Sequence, residues 1–179
     1  DHILAIFKDG TYYTTTFDLS NRYQGERLKI EKLDTNKVYT ALYYDKSVTS
    51  FYVKRFSFDV SDNTPVSFIS EAKGSYLVEI SEDLHPQFEI IFGGKNVNRD
   101  PETVDAEEFI AKKGLQAKGK KVSALDVKKV HFVEPIHKPE DDAQAKESEA
   151  ENLAGEIDNS DVEDPIDIEL DEDTQLTLF

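Results

Sequence analysis

Apolar and polar positions alternate in short runs through residues 3–92, and turn residues bound each run. The runs 3–7 and 11–17, rich in β-branched and aromatic side chains, flank Lys8-Asp9-Gly10, which predicts a β-hairpin. Runs 38–44 and 51–58 repeat the arrangement around Asp45-Lys46-Ser47, and 66–69, 76–80 and 88–92 add further short strands. Strands of this length at short, regular intervals predict an all-β fold. One stretch, 103–113, admits a helix: Asp100-Pro101 starts it, Gly114 caps it, and Glu108 stands four residues before Lys112. The same residues also fit a strand followed by a tight corner, because Val104 and Phe109 make no apolar stripe.

Two phrases recur. Phe17-Asp18-Leu19-Ser20 returns as Phe58-Asp59-Val60-Ser61, and Gly10-Thr11-Tyr12 is answered by Gly74-Ser75-Tyr76. A period near 40 residues, as a rough figure, suits the blades of a propeller-like array.

Composition divides the chain near Pro139. Of 37 acidic residues, 16 lie in 140–179 beside a single cation, Lys146, so the preceding residues hold 21 acids against 20 bases. All of the Phe and Tyr residues but Phe179 fall between Phe7 and Phe132. Residues 1–138 therefore carry a core, whereas dense like charge with few apolar side chains predicts that 139–179 is a disordered acidic tail. With no cysteine in the chain, disulfides and thiolate metal sites are excluded. No apolar run reaches membrane-spanning length, and a cytoplasmic location is expected. The absence of methionine, together with a start at Asp1, suggests a piece of a longer protein.

Candidate chemistry is sparse. His2, His85, His131 and His137 are scattered, and no nucleophile motif or phosphate loop is present, with Gly93-Gly94-Lys95 reading as a turn. The expectation is a non-catalytic chain needing no cofactor or metal. The informative stretch holds Lys112, Lys113, Lys118, Lys120, Lys121, Lys128 and Lys129, with Asp126 as its one acid. Glycines at 114 and 119 let the backbone approach a phosphate, and lysines supply sequence-blind contacts through counterion release. Arg22, Arg27 and Lys29 around Gly25, and Lys54-Arg55 inside an apolar strand, extend this candidate DNA-binding set. The alternative is a propeller-like protein-interaction scaffold whose lysines merely keep it soluble.

Phe7-Lys-Asp-Gly-Thr-Tyr12, Tyr52-Val-Lys-Arg-Phe56 and Phe109-Ile-Ala-Lys-Lys-Gly-Leu-Gln-Ala-Lys-Gly119 look like the strand, Lys-Arg strand and Gly-rich corner of one family's blades. Over about residues 1–135 the chain resembles the C-terminal domain of bacterial type IIA topoisomerase A subunits. The resemblance implies a partial β-pinwheel of about three blades whose basic outer edge binds and bends duplex DNA for strand passage. It also implies a catalytic tyrosine upstream and, as partners, the rest of the A subunit and the ATPase B subunit. Gyrase-type domains carry an Arg- and Gly-rich box that Tyr23-Gln-Gly-Glu-Arg-Leu28 matches poorly, so topoisomerase IV, with decatenation or relaxation, is favoured.

An acidic tail beside a DNA-binding surface predicts autoinhibition by competition. At its end Gln175, Leu176, Leu178 and Phe179 look like the peptide that docks on the bacterial sliding clamp.

Overall fold

A computed structural model describes residues 1–18 and 20–138, and chain contacts divide between His137 and Lys138. The first body is built from three antiparallel sheets laid down in chain order. Strands β1 (His2–Phe7) and β2 (Thr11–Thr16) form the first hairpin, and β3 (Arg27–Lys32) pairs with β1. Its turn is fixed locally: Asp9 accepts from the backbone N–H of Thr11 at 2.9 Å and from its hydroxyl at 2.6 Å, while Gly10 takes φ 81°. A Cβ at Gly10 would lie 2.3 Å from Ile69 Cγ1, so the turn requires glycine.

The second hairpin joins β4 (Tyr39–Asp45) to β5 (Ser50–Phe56). The chain then sends the short β6 (Val66–Ser67) back to pair with β2, before β7 (Tyr76–Ser81) pairs with β4. The third hairpin, β8 (Gln87–Phe92) with β9 (Glu102–Asp105), repeats the plan: β10 (Lys120–Lys121) returns to β5, and β11 (Val127–Val133) pairs with β8. The sheet orders are β3-β1-β2-β6, β10-β5-β4-β7 and β11-β8-β9. Each unit thus completes the sheet of the unit before it. The connection after β2 spans only residues 17–26, against 57–75 and 106–126 in the other two units; it folds back instead of sending out a strand, with Tyr23 stacked on Tyr13 and bonded to the Thr15 hydroxyl at 2.8 Å.

The middle sheet is buried on both faces, which explains the nearly unbroken apolar run of β4. Alternation along it sends Tyr39, Ala41 and Tyr43 into a core shared with the first sheet, and Leu42 into a core shared with the third. Phe58 is fully buried at the centre of the former, with ring centroids of Tyr12, Tyr39, Phe56 and Phe68 within 5.3 Å. Phe17 follows β2 and Phe58 follows β5, so the two phrases hold corresponding places after the second strand of a hairpin; yet Phe17 is 73% exposed, whereas Phe58 packs against Tyr12 of the sheet before its own. The Gly10 and Gly74 phrases occupy non-equivalent places, a hairpin turn and the approach to β7.

The architecture is all-β, an open, partial β-pinwheel-like array of antiparallel blades without a closed barrel. Residues 103–113 resolve as the end of β9 plus a single helical turn, α1 (Ala106–Phe109), which Asp105 caps by accepting from the N–H groups of Glu107 and Glu108. Three strands escaped the sequence reading, and β9 answers to its alternative of a strand at the start of 103–113. In β3 and β11 charged residues crowd the pattern, and a bulge at Lys128 breaks the alternation of β11; β10 is too short to show a period.

The Lys54-Arg55 pair was expected on the surface, and Lys54 requires correction. Its side chain is buried at 3% exposure, and its ammonium donates to the carbonyls of Phe68 and Leu115, each at 2.6 Å, and lies 4.9 Å from the Phe56 ring centre. Those carbonyls belong to the segment just after β6 and the segment just before β10. Burial pulls the Lys54 amine down to about 8.

Two outcomes follow from Lys54. Lys54→Met strands two buried carbonyls, each costing ~1–3 kcal/mol, so a loss of about 3 kcal/mol is expected, measured as a lower urea midpoint with unchanged m-value. Because the folded amine titrates near 8 and the unfolded one near 10.5, the unfolded chain holds more protons in that window, and stability gains from this group as pH rises from 8. Urea titrations at pH 8 and pH 9.5 are expected to show that gain in the parent chain and not in Lys54→Met. Beyond pH 10 the buried phenols of Tyr39 and Tyr43, raised by burial, reverse the trend.

Candidate nucleic-acid interface

After α1 the chain returns to the outer edge of the middle sheet and follows β5 antiparallel. Lys113 N–H donates to Arg55 C=O at 2.8 Å, Lys120 and Lys121 pair with Val53 and Tyr52, and Val122 N–H donates to Phe51 C=O at 3.0 Å. Between these anchors the backbone makes a corner. Leu115 is buried in the first core, Ala117 N–H bonds to Gly114 C=O at 3.0 Å, and the Tyr43 hydroxyl donates to Lys118 C=O at 2.5 Å. Gly119 sits at φ 89°, where a Cβ would come within 2.3 Å of Val53 C=O, so glycine at 119 is a backbone requirement at this edge.

The corner is held electrostatically by Asp45, whose side chain is 1% exposed. It accepts from Ser47 N–H at 2.9 Å, the Ser47 hydroxyl at 2.6 Å, the Ser70 hydroxyl at 2.9 Å and the Lys118 ammonium at 2.9 Å. Burial pushes this carboxyl up, but the four donors outweigh it and hold it well below the usual carboxylate range. The bond to Asp45 in turn raises Lys118, whose ammonium also lies 4.7 Å from the Tyr52 ring centre.

Lys112, Lys113 and Lys121 are exposed, and none forms an ion pair among the described residues. Lys120 is exposed too; its ammonium sits 3.9 Å above the Phe109 ring and donates to the Phe109 carbonyl at 3.3 Å. These side chains share one edge with the half-buried Arg55, whose Nε lacks a hydrogen-bond partner.

The other predicted cations stand elsewhere. Lys128 and Lys129 are exposed at the start of β11 on the third sheet. Arg22 and Arg27 are exposed on the first sheet, in the short connection and at the head of β3. Lys29 is tied up in carboxylates, 3.2 Å from Glu31 and bonded to Glu82, in a cluster that also holds Lys37 and the Tyr39 hydroxyl. Lys54 is buried. Seven lysines close in sequence therefore divide into five on the middle sheet's edge and two on another sheet. Asp45 was read in the sequence as part of the 45–47 turn and not as the residue that fixes the corner.

Gln175, Leu176, Leu178 and Phe179 lie outside the described residues, as does the rest of 139–179. Among the described residues no group of three His, Asp or Glu side chains is placed to hold a metal ion, and no helix is long and apolar enough to cross a membrane.

The strand exchange and the basic edge together define a pinwheel-like module. The chain belongs to the topoisomerase C-terminal domain family of Bacteroidota, whose model matches residues 1–134. A domain of this family is a non-catalytic segment of its parent enzyme. No curated protein and no solved structure gave a significant match.

Asp45→Asn removes the charge that gathers the corner, and an expected loss of about 2 kcal/mol is read from thermal or urea unfolding. The native carboxyl is depressed relative to the unfolded 3.8, so its stabilisation is full above that value and lost as pH falls below it. Acid unfolding of Asp45→Asn is accordingly expected to be shallower than that of the parent chain.

Proposed function

We propose that this domain binds duplex DNA and presents it, bent, for strand passage by the parent topoisomerase. The reading is supported above all by the lysine-bearing edge of the middle sheet. There Lys112, Lys113 and Lys121 project beside a backbone at Gly114 with open space around its α-carbon. Exposed ammonium groups gain by displacing condensed cations from phosphates. Lys118 and Lys120 hold the segment in shape through Asp45 and Phe109 while keeping their charge at the surface. Smaller basic groups on the flanking sheets, Arg22 with Arg27 and Lys128 with Lys129, give a bent duplex further contacts, and bending is attributed to them.

Arg22 in the connection and Arg27 at the head of β3 occur singly, without a cluster of Arg and Gly around them, so decatenation or relaxation is assigned rather than the introduction of negative supercoils. The partners in this reading are the rest of the parent A subunit and its ATPase B subunit. The peptide at 175–179 is assigned to sliding-clamp docking, which peptide titration at micromolar concentrations tests directly.

Fluorescence anisotropy with duplex DNA at several salt concentrations tests the main reading. About six phosphate contacts give a log-log slope near -5, and Lys112→Ala/Lys113→Ala/Lys121→Ala is expected to reduce it by about 3. Lys32→Ala, an exposed residue on the outer strand β3 of the first sheet, is expected to leave the slope unchanged. A flat salt dependence, or a triple variant indistinguishable from its parent, sinks the proposal.

A further inference from the structure

The strand exchange leaves one edge open. In the first sheet β6 lies outside β2, and in the middle sheet β10 lies outside β5; in the third sheet no strand among the described residues lies outside β9. The direction of its free groups follows from the ladder. Ala106 N–H donates to Pro86 C=O at 3.0 Å, so 86 and 106 form a hydrogen-bonded pair. Alternation along the β8–β9 register then gives Phe88–Val104 and Ile90–Glu102 the remaining ladder bonds. The N–H and C=O of Thr103 and the N–H of Asp105 therefore aim at the open side, while the Asp105 C=O, at the N-cap, is taken up by the turn of α1. Thr103 is exposed, and neither β-bulge nor proline blunts the strand between Glu102 and Asp105, devices by which sheets protect such edges.

Charge selects what fits. Exposed Asp100, Glu102 and Glu108 surround the strand; Arg99 offsets Glu102 at 3.9 Å, while Asp100 and Glu108 have no ion pair among the described residues. The same slot on the middle sheet is filled by the Lys-Lys strand β10. We infer that the open edge of β9 is a docking site for an extended, lysine-rich peptide segment of another polypeptide, bound by strand addition. Main-chain bonds to Thr103 and Asp105 give the register, and the flanking carboxylates select positive charge. An acidic segment would meet like charge there, and duplex DNA has no backbone able to continue the sheet.

The probe is a synthetic peptide copying residues 116–122, the chain's own return strand, titrated into the full chain with amide exchange followed by NMR. Expected are at least tenfold slower exchange at Thr103 and Asp105, and at least tenfold weaker binding when the three lysines of the peptide are acetylated. Thr103→Pro deletes one outward N–H and none of the ladder's, and is expected to weaken the peptide at least tenfold while leaving DNA affinity unaltered. Should Thr103→Pro unfold, Glu102→Lys with Glu108→Lys serves instead, with the same expected loss. Equal binding to either variant, or protection confined to other residues, overturns the site. An acetylated peptide that binds equally well overturns the choice of a basic occupant. Protection of Thr103 and Asp105 that rises with chain concentration in the absence of peptide makes the occupant a second copy and overturns the inference as stated.

Discussion

The ammonium of Lys54 sits where three stretches of chain meet. It projects from β5 of the middle sheet and holds the carbonyl that follows β6 and the carbonyl that precedes β10. One buried cation thereby ties down both return segments, the one completing the sheet before and the one completing its own. A hydrophobic side chain of similar length would fill the space but leave two acceptors unpaired, and a shorter one would open a gap between Phe56 and Leu115 as well. The charge is costly to bury, which is why the amine is easier to deprotonate here; a neutral amine still carries an N–H for each carbonyl, so the contact survives the loss of the proton.

The same residue shows where sequence reading succeeds and where it stops. Hairpins announce themselves because turn chemistry and strand alternation are local, and the three hairpins were legible to within a residue or two except for the second strand of the third, which stood open between helix and strand. What completes each sheet is nonlocal: β6 and β10 are two-residue strands defined by where they land. A period cannot be read from two residues. Lys54 was noticed because a base inside an apolar strand demands a reason, but its position in the pattern does not distinguish a side chain reaching solvent from one reaching two carbonyls. The choice is made by Phe68 and Leu115, 14 and 61 residues further on.

The lysine-rich stretch was legible as charge and as flexible backbone, yet its internal division was not. Lys118 and Lys120 anchor the segment through Asp45 and Phe109, and Lys112, Lys113 and Lys121 form no ion pair among the described residues. Neighbouring cations of identical type thus take different tasks, set by partners distant in the chain. Lys29 illustrates the opposite outcome: Glu31 stands two residues on in the same strand, folding brings Glu82 to it as well, and its charge is spent within the protein.

The half-length connection between β2 and β3 gives the array a direction in time as well as in space. No sheet is finished by residues that precede its own hairpin: the first waits for 66–67 and the middle one for 120–121. During synthesis from the N-terminus each blade therefore stays incomplete until much of its successor has been made. Closure runs backward along the chain, one unit late, and truncation from the C-terminal side strips an edge from a blade that otherwise remains intact.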